Sequence, residues 1–129
     1  MDKLTISIRT DSVPWLISNI RGLVQRFEAS QTVSDRVLEG QYADGQMFTA
    51  TIEIETVNAA FSELPYGMGE QDWGEIRATP ASAVLVIEVC RILSDLADRL
   101  NNEGLSDRRL MDINGNAVGK FEVARDIET

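Results

Sequence analysis

Hydrophobic and polar residues alternate over residues 4–10, LTISIRT, with Leu4, Ile6 and Ile8 on one face, which predicts a half-buried strand. The period then changes. In DSVPWLISNIRGLVQRFEAS, Leu16, Ile20, Leu23, Val24 and Phe27 recur at helical spacing. Asp11 or Ser12 can cap this helix, and Pro14 is tolerated in its first turn. Alternation returns over residues 36–42 and 46–56, where Phe48, Ala50, Ile52 and Ile54 share a face and Glu53 and Glu55 project from the other. The Asp44-Gly45 dipeptide between these runs predicts a hairpin that pairs the two directly.

A second helix is expected from Thr79-Pro80 onward, with Leu85, Val89, Ile92, Leu93, Leu96 and Leu100 as its buried stripe. Glu88, Arg91, Asp95, Asp98 and Arg99 are read as its solvated face, and Gly104 as its C-cap. RRLMDI and AVGKFEVA then form a hairpin across Asn114-Gly115, which suits a type I′ turn. Residues 57–79 fit neither period. They carry three glycines, Pro65 and the aromatics Phe61, Tyr66 and Trp73, and read as an irregular, function-bearing excursion.

The elements also repeat. TISIRT matches TIEIET, LVQRF matches LADRL, and SDRVL matches SDRRL, all in the same order. The pattern implies one compact α+β domain, residues 1–129, built from two β-α-β-β units at about 1–50 and 46–125. Together they would make a mostly antiparallel sheet of about five strands with two helices packed on one face, and residues 57–79 would be an insertion in the second unit.

Composition narrows the chemistry. The 129 residues contain no histidine and one cysteine. That removes the commonest general base, most zinc sites, the His-dependent nucleophile systems and any internal disulfide. Cys90, within VLVIEVCRIL, is expected to be a buried and inert thiol. No phosphate loop, dinucleotide fingerprint or nucleophile elbow is present, so no enzymatic activity and no cofactor are expected. The longest apolar run is too short to cross a bilayer, and the amino terminus reads as neither a signal nor a transit peptide, which points to the cytoplasm.

The formal net charge of −9 is unevenly spread. From Gln46 onward fifteen acids face seven bases, and no lysine or arginine occurs between Arg36 and Arg77. Direct binding to nucleic acid is therefore disfavoured, whereas attraction to a basic protein surface is favoured. The candidate partner-binding residues are Glu53, Glu55, Glu63, Glu70, Asp72 and Glu75 for charge, with Tyr66 and Trp73 as hydrophobic anchors.

DINGNAVGKFEV, residues 112–123, superficially opens like a calcium loop. Asp112, Asn114 and Asn116 occupy the first, third and fifth places, but Ala117 stands where glycine is required and Val123 where a bidentate glutamate belongs. No metal is expected there. Asp112 is instead expected to accept hydrogen bonds from the turn backbone.

Three blocks in the second half, TIEIETVNAAF, CRILSDLADRL and LMDINGNAVGKFEV, resemble small acidic proteins of bacteriophages and prophages. The resemblance covers about residues 48–123; the usual relative is shorter and lacks the first unit. It implies a phage or mobile-element protein acting in a bacterial host cell, and such proteins include inhibitors of host defence, anti-CRISPR proteins among them. The expected partner is a basic, nucleic-acid-handling host protein that would be blocked by mimicry of nucleic acid. The alternative is a phage structural or assembly module acting through homo-oligomerisation, and a homodimer is compatible with either.

Overall fold

The computed structural model describes residues 2–40, 45–57, 61 and 81–125. Strand β1 spans Lys3–Thr10, helix α1 Val13–Ser30, β2 Arg36–Glu39 and β3 Phe48–Glu55. Helix α2 then spans Ala81–Glu103, followed by β4 Arg108–Met111 and β5 Ala117–Arg125. The five strands form one sheet in the order β2-β1-β3-β5-β4. Every contact but one is antiparallel; β1 and β2 run parallel. This is the α+β architecture expected, with both helices packed against one face of the sheet.

Alternation decides which face is buried. Leu4, Ile6, Ile8, Ala50, Ile52, Ile54 and Phe121 are fully buried on the helix side, and Leu110 and Val118 extend that surface toward β4. From above, α1 contributes Leu16, Ile20, Leu23, Val24 and Phe27, each buried as its spacing predicts. Of the expected α2 stripe all are buried except Leu85, which is half-buried against the core. The helices also pack on each other closely enough for the Cys90 thiol to reach the Val24 carbonyl at 3.7 Å. Phe61 is buried in the same core, so the Asn-Ala-Ala-Phe block supplies an interior aromatic.

Local signals act where expected at the helix ends. The Ser12 side chain accepts a hydrogen bond from Trp15 N at 3.2 Å, making it the N-cap of α1. At the end of α2, Gly104 takes a φ of 91° and donates its N–H to the Leu100 carbonyl at 3.1 Å. Residues 79 and 80, the expected start of α2, lie outside the described residues.

The first expected hairpin does not form. β2 pairs with β1, in parallel, over Ile6↔Arg36 to Arg9↔Glu39, and does not touch β3. The reason is competition for edges. One side of β3 pairs with β1 along its whole length, and the other pairs with β5 from Phe48 to Ile54. No edge of β3 is left. The 18-residue helix α1 supplies the crossover that a parallel neighbour requires. β2 ends beside Arg9, with Gly40 N donating to Arg9 O, while Gly45 lies against Asp11, so the chain leaves and re-enters the sheet at the same end of β1.

The two units consequently differ in topology. In the first, the second strand pairs with the opening strand; in the second, β4 pairs with the closing strand β5. The β4–β5 hairpin also departs from type I′. Gly115 has a φ of 86°, but Asn114 is not in the left-handed region, because Gln31 is the only non-glycine with positive φ among the described residues. Gly115 N closes a four-residue turn onto Asp112 O, and the register slips between Leu110 and Met111.

Gly119 sets the approach of β5 to β3. A methyl group there would lie 1.9 Å from the Glu53 carbonyl oxygen, so only glycine permits this pairing. Gly22 is the opposite case: it lies within α1, and a methyl group would meet nothing within 4 Å. Gly119→Ala is expected to lower stability by about 1–3 kcal/mol, the usual cost of overpacking. Gly22→Ala should raise it by about 0.5–1 kcal/mol through helix propensity. Thermal denaturation of the two variants checks both signs; a neutral Gly119→Ala would contradict the close approach.

Candidate functional site

The face of the sheet opposite the helices carries the charges that alternation turned outward. Glu53 lies opposite Lys120 across the β3–β5 pair and two register positions from Lys3 on β1, on the same face of the sheet. Its carboxylate, 28% exposed, is 3.4 Å from Lys3 Nζ and 3.9 Å from Lys120 Nζ. Lys120 also meets Glu122 at 2.6 Å. The hydrogen bond to Glu122, then the charges of Glu122 and Glu53, hold the Lys120 ammonium above its ordinary range. Glu55, at the end of β3, is exposed and makes no ion pair among the described residues.

These groups line a shallow groove of about 570 Å³ that runs from β3 across β5 to β4. Lys3, Arg109 and Lys120 share it with Glu53, Glu55, Asp107 and Glu122, while Arg108, which also lines the groove, turns its guanidinium to Glu103 and to Gly104 O at the end of α2. The sheet face is therefore a charge mosaic, not an acidic strip. Of the eight residues expected to bind a partner, the structure places Glu53 and Glu55 on neighbouring outward positions of β3. Glu63, Tyr66, Glu70, Asp72, Trp73 and Glu75 lie outside the described residues.

A second polar assembly joins α2 to the β4–β5 hairpin. Asp112 is 4% exposed, and its Oδ1 accepts from Asn114 N at 2.8 Å and Asn116 N at 2.9 Å. Its Oδ2 takes the Asn116 side-chain amide at 3.2 Å. The aspartate thus holds the turn by its backbone, as its place in the sequence suggests. Among the described residues no group of three or more cysteines, aspartates and glutamates is arranged to hold a metal ion.

Glu88 corrects the reading of α2. Expected on the solvated face, it is 4% exposed and lies under the hairpin. One carboxylate oxygen is bound by Arg91 Nε, and the other accepts from Ile113 N at 3.3 Å. Arg91 Nη2 reaches past it to donate to Met111 O at 3.0 Å. Helix and hairpin are tied through two side chains one turn apart. The sequence signal was its setting, a single acid inside the otherwise apolar VLVIEVC. The remaining α2 charges are exposed as expected: Asp95 pairs with Arg99 at 3.0 Å, and Asp98 pairs with Arg21 of α1 at 3.1 Å.

Cys90 is 4% exposed. Burial first, and the nearby Glu28 charge second, push its pKa from 9.0 up to about 11. No helix among the described residues is long and apolar enough to cross a membrane. No protein-family model, curated protein or solved structure matches this chain.

Glu88→Ala leaves Ile113 N and the Arg91 guanidinium without their acceptor and should cost about 1–3 kcal/mol. In a double-mutant cycle with Arg91→Ala the coupling should be at least about 0.5 kcal/mol. Denaturant unfolding measures it, and a coupling near zero would dissolve the proposed tie. For Cys90, linkage removes stability as pH rises from about 9 through about 11, because the unfolded thiol ionises first. At pH 8 iodoacetamide should label the unfolded chain promptly and the folded chain only at the rate of its opening; fast labelling of the folded protein is the contrary result.

Proposed function

We propose that this chain is a non-enzymatic binding protein that presents acidic surface to a basic, nucleic-acid-handling protein of a bacterial host. It acts in the manner of small phage-encoded inhibitors of host defence, anti-CRISPR proteins among them. The phage and host assignments follow from the resemblance of the three sequence blocks. Blockade by occupying a Lys/Arg channel follows from charge.

The observation that carries the reading is the change along the chain from carboxylates paired within the sheet to a run of acids with no lysine or arginine among them in sequence. Glu39 meets Arg9 at 3.8 Å, and Glu53 sits between two lysines. Among the described residues the pairing stops at Glu55. The chain then passes Glu63, Glu70, Asp72 and Glu75 before the next cation, Arg77. Carboxylates at such a density can replace phosphates against a basic channel and accelerate encounter. Tyr66 and Trp73, interspersed among them, supply the apolar contact that slows dissociation. Glu53 contributes less, since its charge is already offset; Glu55 and the four later acids carry the interaction.

The test is capture from a nuclease-treated bacterial lysate, comparing the parent protein with Glu70→Lys, Asp72→Lys and Glu75→Lys combined. The parent should retain a nucleic-acid-binding protein that elutes with salt or with added DNA, and the triple variant should lose it while keeping the same thermal transition. Equal capture by both proteins, or capture that added DNA leaves untouched, argues against the reading.

A further inference from the structure

The hairpin that failed as a metal loop has a different chemistry. Asn114 and Gly115 are both exposed at its tip. Glycine leaves its own backbone nitrogen unhindered toward the preceding side-chain amide, and a Cβ at Gly115 would meet nothing within 4 Å. The Asn114 carboxamide makes no hydrogen bond among the described residues; only its backbone N–H is engaged, by Asp112. Every other described asparagine lacks one of these conditions. The Asn19 amide is bound to Trp15 O at 2.8 Å, and that of Asn116 to Asp112 at 3.2 Å. Asn101 and Asn102 lie in α2, and each is followed by a residue with a side chain.

We propose that Asn114 is a spontaneous modification site that converts to aspartate and isoaspartate. Gly115 N attacks Asn114 Cγ and the new C–N bond closes a succinimide. The side-chain nitrogen leaves as ammonia, taking up the proton from Gly115 N. Water then opens the ring at either carbonyl, giving aspartate or isoaspartate with no change of oxidation state. One restraint opposes the first step: Gly115 N donates to Asp112 O at 3.0 Å, and that bond must open before the nitrogen can attack. Asp112, which fastens the same turn through Asn114 N and Asn116 N, therefore sets the rate.

The product matters because of what the turn is joined to. Isoaspartate lengthens the backbone between positions 114 and 115, and either product places a negative charge beside the buried Asp112. Ile113 N and Met111 O, the two points at which Glu88 and Arg91 grip the hairpin, lie immediately before the altered segment. Conversion is thus a slow, one-way loosening of the hairpin from α2.

Peptide mapping of the intact folded protein, incubated at pH 8 and sampled over weeks, tests this. Asn114 should yield aspartate and isoaspartate several-fold faster than Asn19, Asn101, Asn102 or Asn116. An Asn114 that persists, or that converts no faster than those four, overturns the proposal. Asp112→Ala should accelerate conversion at Asn114 further; an unchanged or lower rate overturns the role given to the turn.

Discussion

The position of β3 constrains everything else. Its inward residues Phe48, Ala50, Ile52 and Ile54 are all at 2% exposure or less, and both of its edges are occupied by long antiparallel partners. With both edges filled, the short strands β2 and β4 can join only at the margins, beyond β1 and β5. Gly119 is part of the same constraint, because β5 reaches its register only where it lacks a side chain against the Glu53 carbonyl. The helices then cover the one face that alternation has made apolar.

That arrangement also decides what β3 offers to solvent. Its outward residues fall at the middle of the sheet, where cross-strand neighbours are close enough to interact. Glu53 is consequently compensated from both sides, by Lys3 and by Lys120. Glu55 is opposite Lys3 in register, yet Lys3 Nζ turns to Glu53, two register positions away. Exposed pairs of this kind contribute little to stability, because solvent screens them. Their consequence is electrostatic: they lower the net field of the sheet face and leave the chain beyond β3 as the dominant acidic feature.

The burial pattern was legible in the sequence because it depends on residues near one another in the chain. The inward residues of β1 and β3 and nearly the whole stripe of each helix follow from period alone. Strand pairing was not legible to the same degree. Asp44-Gly45 is a sound local hairpin signal, but it cannot report that β1 and β5 pair with β3 over eight and seven positions while β2 has only four to offer. The repeat misled in the same way, since SDRVL and SDRRL share residues but enter sheets whose free edges differ. Of the candidate partner-binding set, sequence could place Glu53 and Glu55 on one face. It could not foresee the lysines brought beside Glu53 from β1 and from β5, whose positions are remote along the chain.

Glu88 and Asp112 show how two buried carboxylates are accommodated by different means in one small region. Asp112 is satisfied locally, by donors within four residues, so its burial could be anticipated from DINGN itself. Glu88 is satisfied by Arg91 and by an amide 25 positions away, and its burial exists only once the hairpin docks. The link between them is Ile113 N: it belongs to the turn that Asp112 shapes, and it donates to Glu88. A turn of another shape would carry that amide away from the carboxylate and leave a buried charge with Arg91 alone, at a cost that a surface pair does not incur. The DINGN block is therefore a structural unit with the helix glutamate, and its residues are constrained by the fit of hairpin to helix.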